Sequence, residues 1–131
     1  MEKTIVIKSK IDNLRDVEKI IDDISVEYKI GEDKYGNILI AALEASNNAV
    51  MHGNKLDENK DVEITFSIID EKLKIKVKDQ GPGFDYENIP DPTAPENIEN
   101  VSGRGIFLME KLSDNISFED DGACVELEFN I

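Results

Sequence analysis

Cationic residues are scarce in this chain. Fifteen Lys and Arg stand against 29 Asp and Glu in 131 residues, a formal net charge of −14. A nucleic-acid backbone needs Lys and Arg to displace counterions, and an anionic membrane needs a basic face, so direct binding to either is excluded. A nucleotide is not, because Mg²⁺ and backbone N–H groups hold phosphates locally. The acidity suits a protein partner with a basic face, or simply solubility. Cysteine is nearly absent. Cys124 stands alone, cannot form an internal disulfide, and lies in an alternating apolar stretch that predicts a buried core thiol. A reduced, cytoplasmic setting is the default expectation. No run approaches the roughly 20 apolar residues of a membrane span. The opening Met1-Glu-Lys-Thr-Ile-Val-Ile-Lys is too short and too polar for a signal peptide. There is no internal repeat and no linker. With 40% hydrophobic and 34% charged residues, the chain reads as one globular domain over 1–131.

Residues 4–8 read as a strand. Asn13 can cap a helix that runs to about residue 29, with Leu14, Val17, Ile20, Ile21 and Ile24 at helical spacing. A second helix is expected from about 33 to 51, ending at His52-Gly53, where glycine suits a C-terminal stop. Its stretch Asn-Ile-Leu-Ile-Ala-Ala-Leu-Glu-Ala is apolar almost all round, which implies burial on more than one side. Residues 62–69 and 73–78 form a predicted hairpin turning at Asp70-Glu71-Lys72. All four prolines fall between 82 and 95, and residues 84–102 show no sustained periodicity. A segment of that length inside a small domain is often a lid. A third helix is expected from Gly103 to about 113, then strands at 115–118 and 123–129 around Asp120-Asp121-Gly122.

Three blocks carry chemistry. Glu44, Asn48 and His52 are spaced by four, so they share one helix face. A carboxylate in so apolar a helix needs a partner or a task. The Asn48 amide oxygen is a hard ligand suited to Mg²⁺ shared with phosphates and water. Glu44, one turn away, can accept a proton from a hydroxyl or water attacking a γ-phosphate. The plainer alternative pairs Glu44 with a Lys and bonds Asn48 to a strand. His52 can bond the last helix carbonyls, or it can act in catalysis. The second block, Asp79-Gln-Gly81-Pro-Gly83, places an acid at a strand end, where it can accept from the exocyclic amine that distinguishes adenine from guanine. Gly81 and Gly83 would let a flat base approach the backbone, or the block is a β-turn with an Asx bond. In the third, Gly103-Arg104-Gly105 opens a helix and offers unpaired N–H groups to an anion. Arg104 either reaches phosphates or is a solvated surface residue. The P-loop pattern is absent, and Leu108 interrupts a Gly-x-Gly-x-x-Gly fingerprint.

In order and content these blocks resemble the N, G1 and G2 boxes of the GHKL ATPase superfamily, which includes gyrase-type ATPases, a heat-shock chaperone and sensor histidine kinases. Within it the chain is most similar to small bacterial anti-sigma-factor serine/threonine-protein kinases, through Asn-Ala-x-x-His-Gly at 48–53 and Gly-x-Gly-Ile-Phe-Leu-Met-Glu-Lys-Leu-x-Asp at 103–114. The resemblance implies an α+β two-layer sandwich, a mixed, mostly antiparallel β-sheet packed against helices. It implies ATP or ADP with Mg²⁺, Glu44 as general base, Asn48 as Mg²⁺ ligand and Asp79 as the adenine-recognising acid. Gly81 and Gly83 would be the G1 glycines, Gly103 and Gly105 the phosphate-side glycines, and residues 84–102 the ATP lid. It further implies a homodimer, a sigma factor held in check, and an anti-anti-sigma (STAS-type) protein phosphorylated on Ser or Thr. The alternative is a nucleotide-dependent protein-binding switch of the same fold without phosphoryl transfer. Two departures from other members matter, and the first argues against an autophosphorylating sensor kinase. The chain shows no domain bearing a phosphorylatable His, as in a sensor kinase, and no second domain to supply a Lys to the γ-phosphate, as in gyrase-type members.

Overall fold

A computed structural model describes residues 1–83 and 101–131. Strand β1 (Glu2–Lys8) leads through a 3₁₀ turn at Ile11–Asn13 into α1 (Leu14–Glu27), and α2 (Glu32–Asn48) continues into a π-helical turn at Ala49–Gly53. Then come β2 (Asp61–Ile69), β3 (Lys72–Lys78), α3 (Val101–Leu112), β4 (Asn115–Glu119) and β5 (Cys124–Asn130). The strands form one sheet in the order β1-β2-β3-β5-β4, antiparallel at all four pairings. The two-layer α+β arrangement is the one expected, with the antiparallel share complete among the described strands. The lid assigned to 84–102 lies outside the described residues, apart from its last two positions, which begin α3.

Period-two alternation decides which face of the sheet is covered. Val62, Ile64 and Phe66 of β2, Leu73, Ile75 and Val77 of β3, and Val125, Leu127 and Phe129 of β5 all point into the core. Register sets Ile64, Val77 and Val125 side by side, and likewise Phe66, Ile75 and Leu127. The helices answer with Val17, Ile20, Ile21 and Ile24 from α1, Ile38, Ala41, Ala42 and Ala45 from α2, and Ile106 and Met109 from α3. Fully burying each Val, Ile, Leu or Phe is worth roughly 1.5–3 kcal/mol. The alanines of α2 let it touch α1, α3 and the sheet together. That explains its nearly unbroken apolar stretch, and it fixes where Glu44 and Asn48 sit.

Three expectations change. Asn13 stands at the start of α1 but makes no capping bond; its side chain donates instead to the Lys8 carbonyl at 3.1 Å. The preceding 3₁₀ turn has already wound its backbone into helical angles (φ −75°, ψ −9°), which turns the side chain back toward β1. Cys124 is buried as expected, but apart from the main core cluster: it occupies the opposite sheet face, paired in register with Lys78 and Glu119. Burial pushes its thiol above the ordinary range, with Lys76 opposing. The third helix begins at Val101, two residues early, so Gly103 and Gly105 lie within its first turns.

The β2–β3 turn is strained. Asp70 (φ 53°) and Glu71 (φ 64°) both adopt left-handed angles, as a two-residue hairpin turn of the primed type demands. A left-handed residue with a Cβ costs roughly 1–2 kcal/mol, part of which glycine's greater freedom in the unfolded chain cancels. Glu71→Gly is therefore expected to stabilise the protein by about 0.5 kcal/mol or more. A chemical-denaturation midpoint that rises with unchanged slope would confirm it; a fall would refute it.

Candidate functional site

The π-helical turn is what assembles the site. The α2 register carries Glu44 and Asn48 on one face, and the extra residue per turn at Ala49–Gly53 bends the chain end toward the end of β3. The carbonyls freed by the wider turn are taken by backbone: Asn54 N–H donates to Ala49 O and Leu56 N–H to Val50 O, both at 2.8 Å. His52 takes no part in these bonds. It is exposed and makes no hydrogen bond among the described residues, so the capping expectation is corrected.

Glu44 and Asn48 meet the start of α3. A Cβ added at buried Gly105 would stand 3.0 Å from both Glu44 Oε2 and Asn48 Nδ2. Neither plainer alternative for this pair is realised: among the described residues Glu44 has no ion pair, and the buried Asn48 Oδ1 has no hydrogen-bond partner. An orphaned buried oxygen of this kind costs about 1–3 kcal/mol unless something binds it. It is a hard donor of the type Mg²⁺ takes. No group of three His, Cys, Asp or Glu side chains gathers among the described residues. A metal here would draw its other ligands from phosphates and water.

Asp79 lies at the other end of the turn. Its backbone N–H donates to Ala123 O at 2.9 Å, anchoring it at the end of the central strand β3, and its Oδ1 accepts from Gly81 N–H at 2.7 Å. This is the Asx bond of the turn reading, and it coexists with a half-buried carboxylate whose second oxygen accepts no bond among the described residues. Burial raises the Asp79 carboxyl above the usual carboxylate range, with the Gly81 N–H and Lys60 opposing. Buried carboxylates held this way cluster at functional sites. Gly53 and Gly81 flank it closely. A Cβ on Gly53 would fall onto the Asp79 carboxylate, and one on Gly81 would strike the Gly53 carbonyl oxygen. Gly53 ends the helical run as expected; its φ is not positive, and it also provides close approach to the carboxylate. Gly83 does have a left-handed φ of 82°, beside the Asp121 carbonyl.

Glu44, Asn48, Gly105, Asp79 and Gly81 thus form one strip along the end of α2, and Gly83 closes it beside the β4–β5 turn. Gly103 and Arg104 fall among the first four residues of α3, whose N–H groups an α-helix leaves unpaired. One residue the motifs did not single out is Asn54, fully buried between this strip and the sheet. Its only sequence signal is that it follows Gly53.

A family model described as "Histidine kinase-like ATPase domain" matches residues 7–129. The chain is similar to the serine-protein kinase RsbW of Bacillus subtilis, 32% identical over 94 residues that cover 67% of this chain and 59% of that protein. Its counterpart in Bacillus licheniformis is 34% identical over 102 residues, covering 72% and 64%. The Staphylococcus aureus RsbW is 35% identical over 96 residues, covering 67% and 60%. The chain thus spans about three-fifths of the length of these curated relatives. A crystal structure of the RsbU and RsbW domains of a Mycobacterium tuberculosis protein shares the fold at a TM-score of 0.66 and 17% identity, over 99% of this chain and 32% of that one.

Proposed function

This chain belongs to the histidine kinase-like ATPase domain family, and from that premise we propose that it is an ATP-dependent serine/threonine-protein kinase. In this reading it acts as an anti-sigma factor and phosphorylates an anti-anti-sigma (STAS-type) antagonist. The observation that carries the reading is the orphaned Asn48 Oδ1 beside Glu44, which has no ion pair among the described residues, both against Gly105.

The free oxygen of Asp79 accepts from the exocyclic amine of adenine, while Gly81 and Gly83 keep the floor open for the ring. The phosphates extend toward Asn48 and the start of α3. There Gly103 and Arg104 supply N–H groups and the positive end of the helix dipole, and the bare Gly105 leaves room beside Glu44 and Asn48. Asn48 Oδ1 would hold Mg²⁺, which when bound supplies neutralisation of phosphate charge. Glu44 orients the attacking Ser or Thr hydroxyl and takes its proton as the oxygen–phosphorus bond forms and ADP leaves. A groove between α1 and α2, lined by Leu14, Arg15, Glu18, Leu43, Glu44 and Asn47, opens this carboxylate to the outside. A hydroxyl carried on another protein can reach it from there. Residues 84–102 are the lid in this proposal, the protein works as a cytoplasmic homodimer, and its other partner is a sigma factor. Among the described residues no helix is long and apolar enough to cross a membrane.

The test is transfer of label from γ-labelled ATP with Mg²⁺ to a purified anti-anti-sigma protein. Label on a Ser or Thr of that protein is expected. Partner binding that differs between ATP and ADP without any labelled product would replace this reading with the binding switch. No nucleotide binding at all would remove both.

A further inference from the structure

The reach of the Asp79 carboxylate is set by Gly53 and by residues outside the three motifs. Asn54 is 1% exposed and spends every polar atom internally. Its Nδ2 donates to Ser9 Oγ at 2.9 Å and to Asp61 O at 3.0 Å, and its Oδ1 accepts from Gln80 N–H at 2.7 Å. Ser9 Oγ in turn donates to Lys60 O at 2.6 Å, and Gln80 Oε1 accepts from Asp61 N–H at 2.7 Å. A closed ring of bonds therefore ties the end of β1, the start of β2 and the residue after Asp79 to one amide. Immediately before it, Gly53 forms the wall against the carboxylate. A Cβ there would stand 2.8 Å from Oδ1 and closer still to Oδ2, the oxygen that Gly81 leaves free.

We propose that Gly53 and Asn54 are positioning residues for base selection: Asn54 holds the Asp79–Gln80 backbone in place, and the bare Gly53 leaves Oδ2 open to an exocyclic amino group. The proposal rests on the nucleotide reading of this site and adds to it the pair that enforces the choice of base. Hydrogen bonds to a carboxylate demand heavy-atom separations near 3 Å, so a shift of about 1 Å abolishes the contact. Displacing Asp79 should remove selectivity without touching the phosphate end, which is built by α2 and α3.

The experiment compares affinities for ADP and IDP, whose base carries an oxygen where adenine has the amino group, in the full chain and two variants. The wild type is expected to prefer ADP by about tenfold or more, the discrimination of one charge-assisted hydrogen bond. Gly53→Ala is tolerated by a φ outside the left-handed region and should fold. It is expected to lose ADP affinity until the ratio approaches one, with IDP affinity little changed. Asn54→Ala should do the same if it retains a cooperative melt. In an Asp79→Asn background Gly53→Ala should add no further loss of selectivity. An unchanged ADP/IDP ratio in Gly53→Ala overturns the proposal, and so does an equal loss for both nucleotides, which marks a merely structural role. A wild type that binds both nucleotides equally removes Asp79 as the selecting acid, and one that binds neither removes the nucleotide reading itself.

Discussion

Replacing Glu44 by Gln is expected to abolish phosphoryl transfer while leaving MgADP affinity intact. Gln has nearly the volume and shape of Glu, so contact with Gly105 at the start of α3 survives. What disappears is the basic carboxylate that takes the hydroxyl proton. General-base assistance is worth about 10²–10⁴-fold, and the variant should retain no more than that residue of activity. Nucleotide affinity should hold or rise, because a carboxylate that faces a phosphate chain opposes it. The result separates two roles that the static structure combines. If transfer continued at the wild-type rate, Glu44 would be a structural side chain of α2 and the proton would leave by another route. If nucleotide affinity collapsed along with transfer, Glu44 would be a binding group and the general-base assignment would fall. Measuring binding by calorimetry and transfer by label in the same preparation distinguishes these outcomes.

Local pattern carried most of the architecture. The spacing of Val17, Ile20, Ile21 and Ile24 places α1, and all four are buried. The strict alternation of Leu73, Ile75 and Val77 with lysines places β3 and its core face. Both patterns are set by neighbours a few residues apart. The misses have a common cause in contacts between distant segments. Gly53 is the helix stop that the sequence predicts, yet its bareness also matters to a carboxylate 26 positions on, which no local pattern shows. Asn54 has no periodic or motif signature, because its partners lie on β1, β2 and the turn after β3. Alternation correctly buried Cys124 but could not say that the sheet's charged face would cover it. In the candidate site, Glu44, Asn48, Asp79, Gly81 and Gly105 were nameable from motif order. The π-helical turn that joins the two ends of the strip was not, since nothing in Ala49-Val-Met-His-Gly53 departs from an ordinary helix end.

Asp79→Asn is expected to reverse its effect on stability when nucleotide is added. In the free protein the raised carboxyl means that folding binds a proton more tightly than the unfolded chain does. Between the ordinary carboxylate value and the raised one, the native state holds more protons, so stability falls as pH rises through that window. Above it the buried charge is a constant penalty. Asn carries no charge and keeps an amide oxygen to accept from Gly81 N–H. The free variant should therefore melt at or above the wild-type temperature at pH 7, and its advantage should fade as pH drops below the ordinary carboxylate range. Nucleotide inverts the order. Ligand at 100 times its Kd adds about 2.7 kcal/mol to the wild type, roughly 10 °C in a domain of this size. The variant should gain little from MgADP, because rotating its amide to meet the adenine amine sets donor against donor or gives up Gly81. A functional residue that costs stability until its ligand arrives is the signature to look for. If Asp79→Asn instead destabilised the free protein at neutral pH and kept its full response to MgADP, Asp79 would be a turn residue and adenine would be read elsewhere.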